Sequence, residues 1–98
     1  MIEIRATDAY SNWIASLRDP VARRAIASRL LRIESGLFGD VKPIGDGLSE
    51  LRVDVGPGYR VYFGRRGAVL VILLGGGDKS TQSRDIKRAS ELWKTLED

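Results

Sequence analysis

The sequence predicts an α+β domain in which an antiparallel sheet carries helices mainly on one face. Two observations support this fold class. Apolar residues recur with helical spacing near both ends of the chain, and with a period of two between residues 51 and 63. The 98 residues, of which 43% are hydrophobic and 30% charged, suffice for one core. We therefore expect residues 1–98 to form a single domain with the element order β-α-α-β-β-β-α.

The first third of the chain predicts a strand and two helices. Residues 1–6 alternate apolar and charged side chains, as in a strand with one buried face. Residues 7–8 can cap a helix, and Asp19-Pro20 suits the start of a second one. Glycines at 36 and 39 can end that helix. The apolar positions of the two helices are Tyr10, Trp13, Ile14 and Leu17, then Ala22, Ile26, Leu30, Ile33 and Leu37.

The second half predicts a loop, three strands and a last helix. Residues 39–49 are rich in Gly and Asp, which favours a loop. Residues 50–63 alternate in polarity around Gly56-Pro57-Gly58 and predict a β-hairpin. Residues 68–74 form an unbroken apolar strand that three glycines terminate, and a helix begins near Thr81.

The hairpin makes a specific prediction about side chains. If the turn has three residues, Asp54 lies opposite Arg60 and Arg52 lies opposite Tyr62, on the face away from the covering helices. One interpretation is a solvated sheet face with an Asp54–Arg60 ion pair. The other is an anion-binding concavity in which Arg60 holds a phosphate.

Residues 75–82 also allow two interpretations. Three glycines let the backbone approach a ligand closely, a helix start offers N–H groups to an anion, and Lys79 lies just before that start. The same residues also suit a loop with a Ser or Thr cap. The spacing of a phosphate-binding P-loop is absent.

Composition excludes several classes of enzyme. The chain has no His and no Cys, which excludes zinc–thiolate sites, cysteine nucleophiles, Ser-His-Asp hydrolases and zinc deaminases. We expect no metal and no cofactor. The positive charge lies in residues 18–34 and 49–66 and is mostly arginine, which suits phosphate. Arg23 and Arg24 could contact a phosphate backbone, although an exposed helix face also explains them.

Four spaced motifs in residues 48–89 resemble one family. They are Glu50-Leu51-Arg52, then Gly56-Pro57-Gly58-Tyr59-Arg60-Val61-Tyr62, then 74–82 (LGGGDKSTQ), then Asp85-Ile86 with Ala89. Together they resemble the RelE/ParE superfamily of type II toxins, in particular the HigB-like branch of addiction module killer proteins. The N-terminal half is similar only in pattern.

The resemblance implies a RelE-like fold and a metal-independent, ribosome-dependent mRNA endoribonuclease, or mRNA interferase, that inhibits translation. It also implies a cognate antitoxin from the same operon, typically a helix-turn-helix DNA-binding protein. In such nucleases the ribose 2′-OH attacks the adjacent phosphate, and basic residues stabilise the charge. Arg60, Arg52 and Lys79 match or fall near the family's basic positions. We expect these three to be catalytic, and Tyr62, Arg65, Arg66, Arg23 and Arg24 to bind RNA.

The sequence departs from the ribonucleases at two points. Asp54 stands where some members carry a lysine, and no Tyr or His follows Tyr62. The alternative is a non-enzymatic, ParE-type toxin that binds DNA gyrase. No export signal is apparent at the start of the sequence. The longest apolar run, residues 68–74, has seven residues and is too short to span a bilayer. We therefore expect a cytoplasmic protein without a membrane partner.

Overall fold

A five-stranded mixed sheet with three α-helices gives the protein its α+β fold. The structure is a computed structural model that describes residues 1–96. A short 3₁₀ turn, Lys79–Thr81, precedes the last helix. The elements in chain order are β1 (Glu3–Ala6), α1 (Asp8–Ser16), α2 (Pro20–Glu34), β2 (Val41–Gly45), β3 (Leu48–Val53), β4 (Tyr59–Arg66), β5 (Leu70–Asp78) and α3 (Gln82–Leu96).

The predicted starts of the first two helices are confirmed. The Thr7 hydroxyl accepts a hydrogen bond from the Tyr10 amide at the start of α1. The Asp19 carboxylate accepts from two amides at the start of α2, and Pro20 occupies the first turn. These caps satisfy amides that have no partner within the helix. None of the helices in the described part of the chain has the length and apolar character that a membrane crossing requires.

The sheet differs from the predicted one at both edges. Its order is β1-β5-β4-β3-β2, and β1 runs parallel to β5, so the expectation of an antiparallel sheet is wrong for β1. The helical pair separates β1 from the other strands, and no short turn imposes an antiparallel direction. Residues 41–45, predicted as loop, form the edge strand β2 against β3. Pro43 is tolerated there because an edge strand needs fewer amide donors.

The β3–β4 hairpin has a register different from the predicted one. Val53 lies opposite Tyr59, and Arg52 lies opposite Arg60. The loop therefore spans residues 54–58, in which the Gly58 amide donates to the Val55 carbonyl. A two-residue shift keeps the same side chains on each face, because the side-chain period is two. It nevertheless changes every partner across the strands, and Asp54 is exposed in the loop, away from Arg60.

Helices cover both faces of the sheet. Helices α1 and α2 pack on one face with the alternating residues Leu51, Val53, Val61 and Phe63. Helix α3 packs on the other face through Trp93 and Ala89, against Tyr62, Leu74 and Ile72. Two of the three described helices share one face, as predicted, but the other face, which was expected to be free of helices, is covered by α3.

Candidate functional site

Two of the predicted catalytic residues are neighbours across adjacent strands. Arg52 of β3 and Arg60 of β4 are direct partners in the ladder, and Gly77 of β5 is the next residue of the same row. Both side chains lie on the sheet face that α3 covers, because Leu51 and Val61 beside them belong to the α1/α2 core. The strands therefore bring two guanidinium groups together at one end of the sheet.

Arg60 is buried and paired with a carboxylate. Its side chain is 9% exposed and that of Glu50 is 3% exposed, with Arg60 Nε 3.2 Å from Glu50 Oε2. The contact is an ion pair without the alignment of a hydrogen bond. Arg60 Nη1 donates to the Tyr59 carbonyl at 3.0 Å, and Gln82 Nε2 donates to Glu50 Oε1 at 3.1 Å. The predicted Asp54–Arg60 pair is absent, and Glu50 balances the charge of Arg60 instead.

Arg52 is more accessible. Its side chain is 34% exposed, and its Nε lies 3.5 Å from Asp40 Oδ1. That Nε is itself buried without a hydrogen-bond partner in the described residues. The backbone is well fixed, since the Arg52 amide donates to the Asp40 carbonyl and its carbonyl accepts from Arg29 Nη1. Arg52 is thus a rigidly anchored cation with only a loose partner.

Lys79 lies at the same end of the sheet, directly after β5. Its amide donates to the Gly58 carbonyl at 3.1 Å. Gly58 has φ +84°, and a Cβ there would lie 2.8 Å from Lys79 Cε. The glycine therefore leaves the room in which the lysine stem runs along the β3–β4 loop. The residue itself is exposed, so its ammonium group is available to a ligand.

Asp78 shapes the turn that carries Lys79. Its carboxylate accepts from the Ser80 amide at 2.8 Å and from the Ser80 hydroxyl at 2.5 Å. These hydrogen bonds lower the pKa of Asp78 from its usual value. The carboxylate is therefore charged at neutral pH and fixes the direction of the chain on either side of Lys79.

Tyr62 was expected on an exposed face of the sheet, and this expectation is wrong. The side chain is fully buried beneath α3, and its hydroxyl has no hydrogen-bond partner among residues 1–96. Burial raises its pKa well above the usual value, and the charges of Glu50 and Asp85 raise it further. A phenol in this position neither reaches RNA nor exchanges a proton near neutral pH.

The other predicted RNA-binding residues lie apart from this site. Arg65 and Arg66 are at the opposite end of β4, where Arg65 lies 4.5 Å above the Phe38 ring and Arg66 lies 5.3 Å above the Trp93 ring. Arg23 and Arg24 are exposed on α2, which packs on the other face of the sheet. The structure therefore does not bring the five predicted RNA contacts into one surface.

Two acidic residues at the site were not predicted as site residues. Glu50 and Asp85 are 3% and 7% exposed, and Thr81 Oγ1 donates to Asp85 Oδ2 at 2.5 Å. The glycine at position 77 is the one sequence feature that points to Asp85, because a Cβ on residue 77 would collide with the Asp85 carboxylate. Glu50 carries no such signal, since the charged positions of a two-period strand are ordinarily solvated.

Comparison with known proteins finds a relative of nearly the same length. No family model matches the chain. An uncharacterized protein of Haemophilus influenzae strain Rd is 47% identical over 95 residues, which cover 97% of this chain and 96% of that protein. Identity at this level over nearly the full length of both sequences shows common descent. The chain therefore belongs to the same protein family as this Haemophilus influenzae protein.

Proposed function

We propose that the protein is the toxin of a type II toxin–antitoxin module with the RelE-like topology, acting as a ribosome-dependent mRNA endoribonuclease. The motifs in residues 48–89 support the family. The observation that carries the activity is the grouping of Arg52, Arg60 and Lys79 at one end of the sheet. Three cations on fixed backbone are suited to the charge that develops on a phosphate under attack.

The three cations have different roles in this proposal. Lys79 and Arg52 are the accessible ones and contact the scissile phosphate. Arg60 is buried and paired with Glu50, and in this proposal it supports the site without contacting the phosphate. This division changes the expected order of importance, because a buried and neutralised guanidinium stabilises less developing charge than an accessible one.

The reaction needs no metal when geometry and charge do most of the work. The ribose 2′-oxygen forms a bond to phosphorus while the bond to the 5′-oxygen breaks, which gives a 2′,3′-cyclic phosphate and a 5′-hydroxyl. Since the Tyr62 hydroxyl is buried, water takes the 2′ proton and supplies the proton to the leaving oxygen. Catalysis without a positioned acid and base is slower by about 10²–10⁴-fold, so we expect a slow nuclease.

Primer extension on one mRNA, with and without programmed ribosomes, tests the activity. We expect cleavage only with ribosomes, and a loss of about a hundredfold or more in Lys79→Ala, since one contact to transition-state charge is removed. Lys94→Ala is the matched control, because Lys94 is an exposed lysine in the last turn of α3. Wild-type cleavage by Lys79→Ala would refute the site assignment, and an intact mRNA in every lane would refute the nuclease.

The same proposal includes a partner and a location. A toxin of this kind is neutralised by an antitoxin from the same operon, here a helix-turn-helix DNA-binding protein, and it acts in the cytoplasm on the ribosome and mRNA. Co-expression with the neighbouring reading frame tests the first point. Growth arrest by this chain alone, relieved by co-expression of the neighbour, is the expected outcome.

A second candidate function, a ParE-type toxin that binds DNA gyrase, is favoured by one observation. Arg60 is neutralised by Glu50, and Tyr62 is buried, so the site lacks a free central guanidinium and a positioned acid or base. Supercoiling by purified gyrase distinguishes the two functions. Inhibition of supercoiling by a protein that leaves mRNA intact would favour the gyrase binder.

A further inference from the structure

A cavity of about 190 Å³ opens between α1 and α3 at the edge of β5. It lies beyond the end of β1, whose last partner on β5 is Leu73, whereas β5 continues to Asp78. The edge of β5 is therefore not covered by a strand at Gly75 and Gly76. The two helices form the walls of the cavity and this strand edge forms its floor.

Glycines create the space. Gly75 has φ +151°, and a Cβ there would meet no atom within 4 Å. The ladder between β4 and β5 is irregular at the same point, after Tyr62, which turns the strand. A Cβ at Gly76 would collide with the six-membered ring of Trp13. The indole of Trp13 therefore lies directly on the floor and forms one wall of the cavity.

Two arginines stand at the mouth of the cavity. Arg84 and Arg88 are one helical turn apart on α3, so they project on the same side. Arg84 Nε lies 3.5 Å from Asp85 Oδ1, and the Arg84 side chain is 58% exposed. Arg88 is exposed and has no ion-pair partner among residues 1–96. One free guanidinium and one loosely paired one therefore face an incoming anion, which their planar forks bind well.

The size of the cavity fits one ring system. An apolar protein cavity of about 150 Å³ holds benzene, so a volume of about 190 Å³ accommodates a larger planar ring beside Trp13. Backbone at the floor and the buried Asp85 carboxylate supply polar atoms for the edge of such a ring. A planar polar ring with an anionic group at the mouth is the chemistry of a nucleotide.

We propose that this cavity binds one nucleotide, with the base beside Trp13 and the phosphate at Arg84 and Arg88. Arg52, Arg60 and Lys79 do not line this cavity, although Asp85, which lies at their site, does. The proposal stands whether or not the protein cleaves RNA. The nucleotide can be free or belong to a strand, and the two sources share the same chemistry.

Two-dimensional ¹⁵N–¹H NMR on the isolated protein tests the site. The chain has two tryptophans, and Trp93 is 5% exposed with its indole N–H donated to the Asp46 carbonyl. Its indole signal is therefore an internal control for that of Trp13. We expect AMP to shift the Trp13 indole and the Gly75 and Gly76 amides in a saturable manner, while the Trp93 indole stays in place.

Arg88→Gln and Lys87→Gln form a matched pair on adjacent exposed positions of α3, and only Arg88 lines the cavity. We expect Arg88→Gln to weaken AMP binding by about tenfold, as for loss of one charge-assisted contact, and Lys87→Gln to leave it unchanged. Equal effects in both variants would refute the assignment, because they would report only net charge.

Adenosine, inorganic phosphate and a short oligoadenylate complete the test. Adenosine should bind at Trp13 more weakly than AMP. A response to phosphate equal to that of AMP, with the Trp13 indole unmoved, would overturn the nucleotide site in favour of a plain anion site, and no response to any probe would overturn it as well. Tighter binding of the oligoadenylate than of AMP identifies a strand as the source, and equal binding identifies a free nucleotide. Because no ribosome is present, failure here is distinct from failure of the nuclease proposal.

Discussion

The two faces of the sheet have different interiors. The face under α1 and α2 is an apolar core, in which Ile26, Ile33, Leu51 and Val61 are fully buried. The face under α3 is mixed. It contains the apolar cluster around Trp93, together with the three charged residues that are buried in the described part of the chain, Glu50, Arg60 and Asp85.

The two faces contribute differently to stability. Burying apolar area is favourable at about 25 cal/mol per Å², whereas a buried ion pair repays its desolvation only when its geometry is good. The α1/α2 face, which has the larger apolar cluster, therefore contributes more hydrophobic stabilisation than the α3 face. The α3 face contains buried charges and the unpartnered Tyr62 hydroxyl, which stability alone does not require. The proposed phosphate site of Arg52, Arg60 and Lys79 lies at the edge of this face.

The largest expected effect comes from breaking the buried ion pair. Arg60→Met should lower the free energy of unfolding by about 3–5 kcal/mol, because it leaves the Glu50 carboxylate buried with Gln82 as its remaining partner. Ile26→Ala on the other face should cost about 2–5 kcal/mol as a cavity. Urea denaturation measures both.

The double variant Glu50→Leu/Arg60→Met sharpens the comparison. Replacing both charges by apolar side chains should recover most of the lost stability, while Gln82, which is partly exposed, turns to solvent. Under the proposed toxin function, a stable double variant that fails to arrest growth would assign the pair to function. A double variant as unstable as Arg60→Met would mean that the α3 face depends on charge for its fold.

Two glycine–tryptophan contacts, one on each face, are next in size. A Cβ at Gly64 would lie 2.6 Å from Trp93 Cζ3, and a Cβ at Gly76 would collide with Trp13. Gly64→Ala and Gly76→Ala should each lower the free energy of unfolding by about 1–3 kcal/mol through overpacking. Thermal unfolding measures the loss. Gly67→Ala is the control that measures backbone strain without overpacking, since Gly67 has φ +64° and no atom within 4 Å of a Cβ at that position.

A smaller effect of opposite sign is expected at Tyr62. Removing its unpartnered hydroxyl in Tyr62→Phe should raise the free energy of unfolding by about 1 kcal/mol. Because the pKa of Tyr62 is raised in the folded protein, the unfolded chain releases this proton first. Wild-type stability should therefore fall as the pH rises above about 10, and Tyr62→Phe should fall less. Denaturant titrations at neutral and alkaline pH check both statements, and an identical alkaline loss in the two proteins would contradict them.

The smallest effect concerns the exposed edge of the α3 face. Ser80→Ala removes a hydroxyl donor to Asp78 and should raise the pKa of Asp78 toward its usual value. Since the pKa of the folded form is lowered, the stabilisation is present above the usual Asp pKa and is lost as the pH falls through the lowered one. Carboxyl ¹³C NMR titration measures the change, and an unaltered Asp78 midpoint would count against the Ser80 bond.

Local chemistry made much of the fold predictable. Thr7 and Asp19 are strong caps, and the periodicity of residues 10–33 and 50–63 settled the type of each element. The prediction that the glycines at 75–77 terminate the apolar strand is wrong, because β5 continues through them to Asp78. Two of the three are there for side chains that pack on them, Trp13 on Gly76 and Asp85 on Gly77.

The site was harder to predict because it depends on register and on α3. A loop of five residues rather than three makes Arg52 the partner of Arg60 and leaves Asp54 in the loop. No local pattern reports which face a distant helix will cover, so Tyr62 was expected on the surface and lies beneath α3. The Glu50–Arg60 pair follows from both of these non-local facts.

The position of β5 has a consequence for how the chain folds. This strand joins β1 to β4, yet it is the last of the five described strands in chain order. Until residue 70 has been made, β1 has no partner and the apolar side of the α1–α2 pair lacks Val71 and Leu73. Contacts between such distant parts of a chain close slowly. A nascent or truncated chain that ends before β5 should therefore expose apolar surface and be a substrate for chaperones and proteases, and the native sheet can be completed only after residues 70–78 have been made.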